Sequence, residues 1–106
     1  MAWVYLLSAG LLEIVWAYYM KLSEGFSRPG PTAITLLAMI ASFGLLALAM
    51  RSLPLGTSYM VWTGIGAVGA FILGVVMLGE ALTPMRLFAA ALIVSGLVLM
   101  KAASPT

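Results

Sequence analysis

Four long apolar runs, divided by short polar breaks, organise this chain. The first covers Ala2 to Met20 and ends in KLSEGFSRPGP, where Lys21, Glu24 and Arg28 cluster with Gly25, Pro29, Gly30 and Pro31. The second covers Thr32 to Met50 and ends at Arg51, and SLPLG then breaks the chain around Pro54 and Gly56. The third covers Thr57 to Leu78 and is followed by GEALTPMR, which carries Glu80, Pro84 and Arg86. The fourth reaches Met100, ahead of Lys101 and the small-residue tail AASPT. A helix needs about 20 apolar residues to cross a hydrocarbon core of about 30 Å. Backbone groups in lipid have no water to bond, so such runs must be helical. The pattern predicts an all-α membrane protein with helices over about 2–20, 32–51, 57–79 and 85–101, in one domain spanning 1–106.

Composition narrows the chemistry. The chain is 64% hydrophobic and 8% charged, with a mean hydropathy of +1.18, too little polar surface to clothe a soluble domain of 106 residues. Cysteine is absent, which removes disulfides, thiol redox chemistry and cysteine metal sites. Histidine is absent too, so the commonest metal ligand and neutral-pH proton carrier is missing. No metal or cofactor is expected, and no nucleophile–base pair suggests an enzyme. The net charge of +2 is no basic patch, so nucleic acid is not an expected partner. The first run lacks a basic leading segment and is interrupted by Glu13, unlike a cleaved signal peptide.

Charge distribution bears on orientation. With four crossings, Arg51 and Lys101 fall on one side and Lys21, Arg28 and Arg86 on the other. Short-loop Lys/Arg bias sets topology, and a bias of one residue predicts insertion in both orientations. Many secondary transporters place their site between inverted repeats, and two copies of a short chain in opposite orientations supply the same pseudo-symmetry as an antiparallel homodimer. Gly66, Ala70 and Gly74 recur every four residues on the third run, and Ala91 and Ser95, with Gly96, do so on the fourth. Small residues at this spacing let helices approach closely in lipid, either between protomers or within one. The stretch GIGAVG, Gly64 to Gly69, matches a dinucleotide fingerprint, but it lies within an apolar run and no acid occupies positions 84 to 92.

Glu13 is the residue that asks for an explanation. It lies roughly 17 Å along its run, near the midplane, where an ionisable side chain is expensive without a partner. Leu6, Ala9, Gly10, Trp16, Ala17 and Met20 share its helix face. Elsewhere at comparable depth the polar groups are Ser42 on the second run and Tyr59, Trp62 and Thr63 on the third. Each has a plainer reading: Glu13 as a hydrogen-bonded joint between helices, Ser and Thr bonded to their own backbone, Tyr59 and Trp62 in the interfacial belt. Together, a carboxylate, aromatic rings and hydroxyls describe a cation site. Such a carboxylate can hold a proton or a cation but not both well, which, with alternating access, gives proton/cation exchange.

LLEIVWAYYMKLSEGFSR, PLGTSYMVWTGIGAVG and AALIVSG resemble the small multidrug resistance family over essentially the whole chain. The resemblance implies an antiparallel, dual-topology homodimer of four-helix protomers in the bacterial inner membrane, exchanging protons for cations at Glu13. Trp16 after EIV looks like the guanidinium-exporter subtype, since exporters of polyaromatic cations carry a small residue there. Gly10 also matches that subtype, and Ser42 corresponds to its second-helix serine, which bonds the glutamate. Tyr59 and Trp62 correspond to the family's third-helix aromatics, with Thr63 beside them. Ser58 stands where alanine is more usual. Dimer packing is implied for Ala89, Leu92, Ile93 and Gly96, although Ala89 replaces a glycine frequent in relatives. Guanidinium suits the site: it is planar, strongly basic and pairs bidentately with carboxylate. Small substituted guanidinium ions are further candidate cargo, with an alkyl tail leaving between helices near Met39 and Phe43. Glu24, Glu80 and the run-end cations are read as lying outside the site. The alternatives are an exporter of lipophilic quaternary ammonium ions, which Trp16 argues against, and a non-transporting membrane assembly subunit.

Overall fold

The computed structural model describes residues 1–103. It contains α1 (Ala2–Leu22), α2 (Pro29–Ala49), α3 (Leu55–Leu78) and α4 (Pro84–Ala103), each long and apolar enough to cross a membrane. No strand occurs among the described residues. Three helices begin slightly before the positions expected from hydropathy. The prolines explain two of these starts: Pro29 lies in the first turn of α2, and Pro84 opens α4, positions where a missing N–H is no loss and φ is already helical. Pro54, extended at φ −61° and ψ 152°, caps α3, so that helix starts at Leu55. At the other end, α1 continues through Lys21, whose long stem lets the ammonium reach the headgroups from within the helix.

The turn after α1 is closed locally. Ser23 Oγ donates to the Met20 carbonyl at 2.6 Å and accepts from the Phe26 amide at 3.0 Å, while Glu24, Gly25 and Phe26 take positive φ. The tail residues 104–106 lie outside the described part.

α1 is the centre of the protomer, packed against both α2 and α3, whereas α4 packs along α3. The result is a slab only 16 Å in its thinnest dimension. Lipid is as apolar as leucine, so packing here comes from close fit rather than from escape from water. The buried cluster is Leu6 and Ala9 of α1, Leu46 and Ala49 of α2, Leu53 of the second turn, and Val61 and Trp62 of α3. All lie towards one end of the slab, where α1 starts, α2 ends and α3 starts. The opposite end, around the C-terminal turns of α1 and α3, holds a cavity of about 380 Å³, and one of about 440 Å³ opens beside Trp3, Leu7, Val61 and Lys101 at the end where α1 starts. No residue of α4 is buried, and beyond α3 it reaches α1 through the Lys101 ammonium, 4.7 Å from the Trp3 ring centroid.

Candidate functional site

Glu13 sits midway along α1, and its side chain lies on the backbone of Gly66 in α3. A Cβ built at Gly66 would collide with the Glu13 carboxyl group, so only glycine admits the acid at this crossing. One turn earlier, Gly10 is buried against Ile65, where a Cβ would come within 2.9 Å of that side chain. Gly66 and Gly69 therefore serve packing of α1 on α3 inside one protomer: Gly69 receives Ile14 as Gly66 receives Glu13. GIGAVG is helical throughout and carries no phosphate-binding turn.

Two polar atoms at this crossing are buried without hydrogen-bond partners among the described residues: Glu13 Oε1 and Trp16 Nε1. One is an acceptor and the other a donor, three residues apart on the same helix face. Buried polar atoms normally find partners, so an orphaned carboxylate oxygen marks a place where a donor from elsewhere fits.

Ser42 occupies a different place from the one the resemblance implies. Its Oγ donates to the Ala9 carbonyl at 2.7 Å and accepts from Trp62 Nε1 at 3.0 Å. A hydroxyl has one proton to give, and here the α1 backbone takes it, leaving none for the Glu13 carboxylate. The Ala9 carbonyl is also the one that receives the Glu13 amide in the helical ladder. Ser42 thus pins the turn of α1 that carries Glu13 and orients the Trp62 indole.

The rings form a chain. Trp16 meets Phe43 edge-on at 6.1 Å between centroids, Phe43 meets Trp62 at 5.7 Å, and Trp62 meets Tyr59 at 5.5 Å. Such edge and tilted pairs are favourable for aromatic quadrupoles. Phe43, read from sequence only as part of an apolar exit, is the ring that joins α1 to α3. Apolar residues are abundant on α2, so nothing in the sequence singled it out.

Within a protomer the third-helix residues divide. Trp62 is buried, 7% exposed, whereas Tyr59 is 52% exposed and Thr63 is exposed. Tyr59 and Thr63 line a cleft with Met60, Ala67 and Ile93, shared between α3 and α4. Ala89, Leu92, Ile93 and Gly96 are all exposed on α4, and Ser95 Oγ bonds its own Ala91 carbonyl at 2.8 Å. Those surfaces are open to a neighbouring helix or to lipid. No group of acidic, cysteine or histidine side chains that could hold a metal occurs among the described residues.

Comparison with known proteins bears on what this arrangement belongs to. The family model described as Small Multidrug Resistance protein matches residues 1–93. A guanidinium exporter of Escherichia coli (strain K12) is 59% identical over 101 residues, covering 95% of this chain and 96% of that one. A guanidinium exporter of Yersinia pseudotuberculosis is 57% identical over 104 residues, covering 98% and 100%, and one of Citrobacter freundii is 54% identical over 101 residues, covering 95% and 96%. Identity at this level over nearly the full length of both chains, with four membrane-spanning helices, is decisive: the protein is a multi-pass bacterial inner-membrane protein that belongs to the small multidrug resistance family.

Proposed function

We propose that this protein exports guanidinium, and small substituted guanidinium ions, in exchange for protons, with both competing for Glu13. The observation that carries the reading is the Glu13 carboxylate, set at mid-membrane depth with one oxygen buried and unpartnered. A planar cation bearing paired N–H donors is the natural complement to such an acid. The names carried by the relatives at 54–59% identity support the same cargo.

Each step follows from a group in place. The carboxylate holds a proton until guanidinium displaces it. Trp16 and Trp62 offer ring faces and edges, and Ser42 holds the Glu13 turn and the Trp62 ring in register. Two protomers inserted in opposite orientations bring a second Glu13 to the same region, with contacts through Ala89, Leu92, Ile93 and Gly96 of α4. The protomer carries a cavity towards each membrane edge, about 380 Å³ at the end of α1 and about 440 Å³ at its start, lined by different residues, and this asymmetry supports alternating access. In an antiparallel pair the start of α1 in one protomer lies beside the end of α1 in the other, and exchanging the two protomers' conformations moves the opening across the membrane.

The test is proton release on adding guanidinium to weakly buffered, detergent-solubilised protein. Release by the wild type and none by Glu13→Gln, with helicity and monodispersity retained, is the expected result. Silence from a folded wild type removes guanidinium as cargo; release on adding a quaternary ammonium ion instead points to the sister specificity.

A further inference from the structure

Where α3 ends and α4 begins, the chain's own Arg86 guanidinium is held by several groups at once. Arg86 stands in the first turn of α4, where the helix dipole disfavours a cation. Its backbone amide is held by Thr83 Oγ1 at 3.2 Å. What compensates is a three-sided cradle. Arg86 Nη2 lies 3.7 Å from Glu80 Oε1, Nη1 donates to the Ala81 carbonyl, and the guanidinium carbon sits 4.8 Å from the Phe71 ring centroid. Carboxylate, carbonyl and ring face are the three partners a free guanidinium ion would seek.

The cradle is built into the backbone. Gly79 ends α3 in the left-handed conformation, φ 69°, which turns the chain back so that the Glu80 amide bonds the Gly74 carbonyl at 2.9 Å. The Glu80 carboxylate then rests on Gly74, where any Cβ would displace it. Glu80 and Arg86 border the cavity of about 380 Å³, together with Lys21, Tyr18 and Phe71. The cavity extends inward to Ala17 and Ala67. Ala17 is one turn beyond Glu13, and Ala67 adjoins Gly66, on which the Glu13 carboxylate lies. From Ala67 to Leu78 the lining runs roughly 16 Å along α3, so the cavity runs from the membrane edge towards the central acid and ends one residue short of Gly66.

We propose that Glu80, Phe71 and the Ala81 carbonyl form a peripheral guanidinium site at the mouth of the cavity leading to Glu13, plugged by Arg86 and opened when a guanidinium ion takes its place. The proposal rests on guanidinium being the cargo. It assigns a role to Glu80, which the sequence leaves as an ordinary loop acid. The pair is exposed enough for exchange: the two side chains are 39% and 45% accessible, and ion pairs in such settings hold weakly. The plug shares the cargo's chemistry, so an ion without planar N–H donors is a poor competitor.

The experiment follows the arginine side-chain Nε resonances of full-length protein labelled with ¹⁵N-arginine and carrying Glu13→Gln, which disables the central site. Guanidinium chloride should move the Arg86 resonance saturably and leave Arg28 and Arg51 in place, while tetramethylammonium chloride at equal concentration should not. Adding Glu80→Gln should abolish the response, and Phe71→Leu, which keeps the carboxylate and the apolar volume, should weaken it several-fold. No Arg86 response, an equal response to tetramethylammonium, or a response that survives Glu80→Gln overturns the proposal. Proton release by protein with Glu13 intact is measured alongside. Release without an Arg86 response sinks the peripheral site alone; an Arg86 response without release sinks exchange at Glu13 and leaves the cradle standing.

Discussion

Replacing Gly66 by alanine separates the site from the scaffold that carries it. The new methyl would occupy the space now held by the Glu13 carboxyl group. What it meets is the far end of a flexible side chain, so the helices need not part: the carboxylate swings aside instead. Leaving its preferred rotamer costs Glu13 about 0.5–1.5 kcal/mol, while alanine in place of glycine returns up to about 1 kcal/mol of helix propensity. The two nearly cancel, and thermal stability in detergent should change little. Binding should not be spared. Loss of one well-aligned charge-assisted hydrogen bond is worth about 1.5–3 kcal/mol, or roughly tenfold to a hundredfold in affinity. The assay is the guanidinium concentration that gives half-maximal proton release, measured for wild type, Gly66→Ala and Gly44→Ala. Gly44 has nothing within 4 Å of its would-be Cβ, so its variant should match the wild type. Half-saturation within twofold of wild type for a folded Gly66→Ala protein would refute the claim that this glycine sets the position of the acid.

Other expectations concern protons, the Ser42 link and α4. Because protons and guanidinium compete for one carboxylate, apparent affinity should fall as pH falls, approaching about tenfold per pH unit once the acid is mostly protonated; isothermal titration between pH 6 and 9, taken as roughly the range around neutrality, should show this slope, and a flat profile would separate the two sites. Ser42→Ala strips Trp62 Nε1 of its partner and the Ala9 carbonyl of its cross-link, and should cost about 1–3 kcal/mol of stability, read as a lower melting temperature with a shift in tryptophan emission. Gly96→Leu alters an exposed position of α4, so helicity by circular dichroism should hold while native mass spectrometry finds fewer dimers; an unchanged dimer fraction would take Gly96 out of the interface.

The spans were legible because the membrane imposes a length and forbids exposed backbone, so runs such as 57–78 can be little else but helices. Starts were less legible where proline was read as a break, although at Pro29 and Pro84 it opens a helix. Glu13 announced itself by its cost among apolar neighbours. Its partners did not. Which of Ser42's neighbours receives its proton depends on the crossing of α1 and α2, and hydropathy is silent about crossings. The role of Gly66 was hidden for the same reason: its spacing with Ala70 and Gly74 says that something approaches, and only the packed helices say that the approaching groups are the two carboxylates, Glu13 at Gly66 and Glu80 at Gly74.

The ring chain from Trp16 through Phe43 to Trp62 also makes the protein its own optical instrument. Of its three tryptophans, Trp16 lies one turn beyond Glu13, Trp62 is bonded to Ser42, and both touch Phe43, while Trp3 lies against Lys101. Anything that slides α2 past its neighbours must alter the surroundings of two indoles together, through Phe43. Native emission, with no dye and no inserted label, should therefore follow cargo loading and the exchange of conformations in real time.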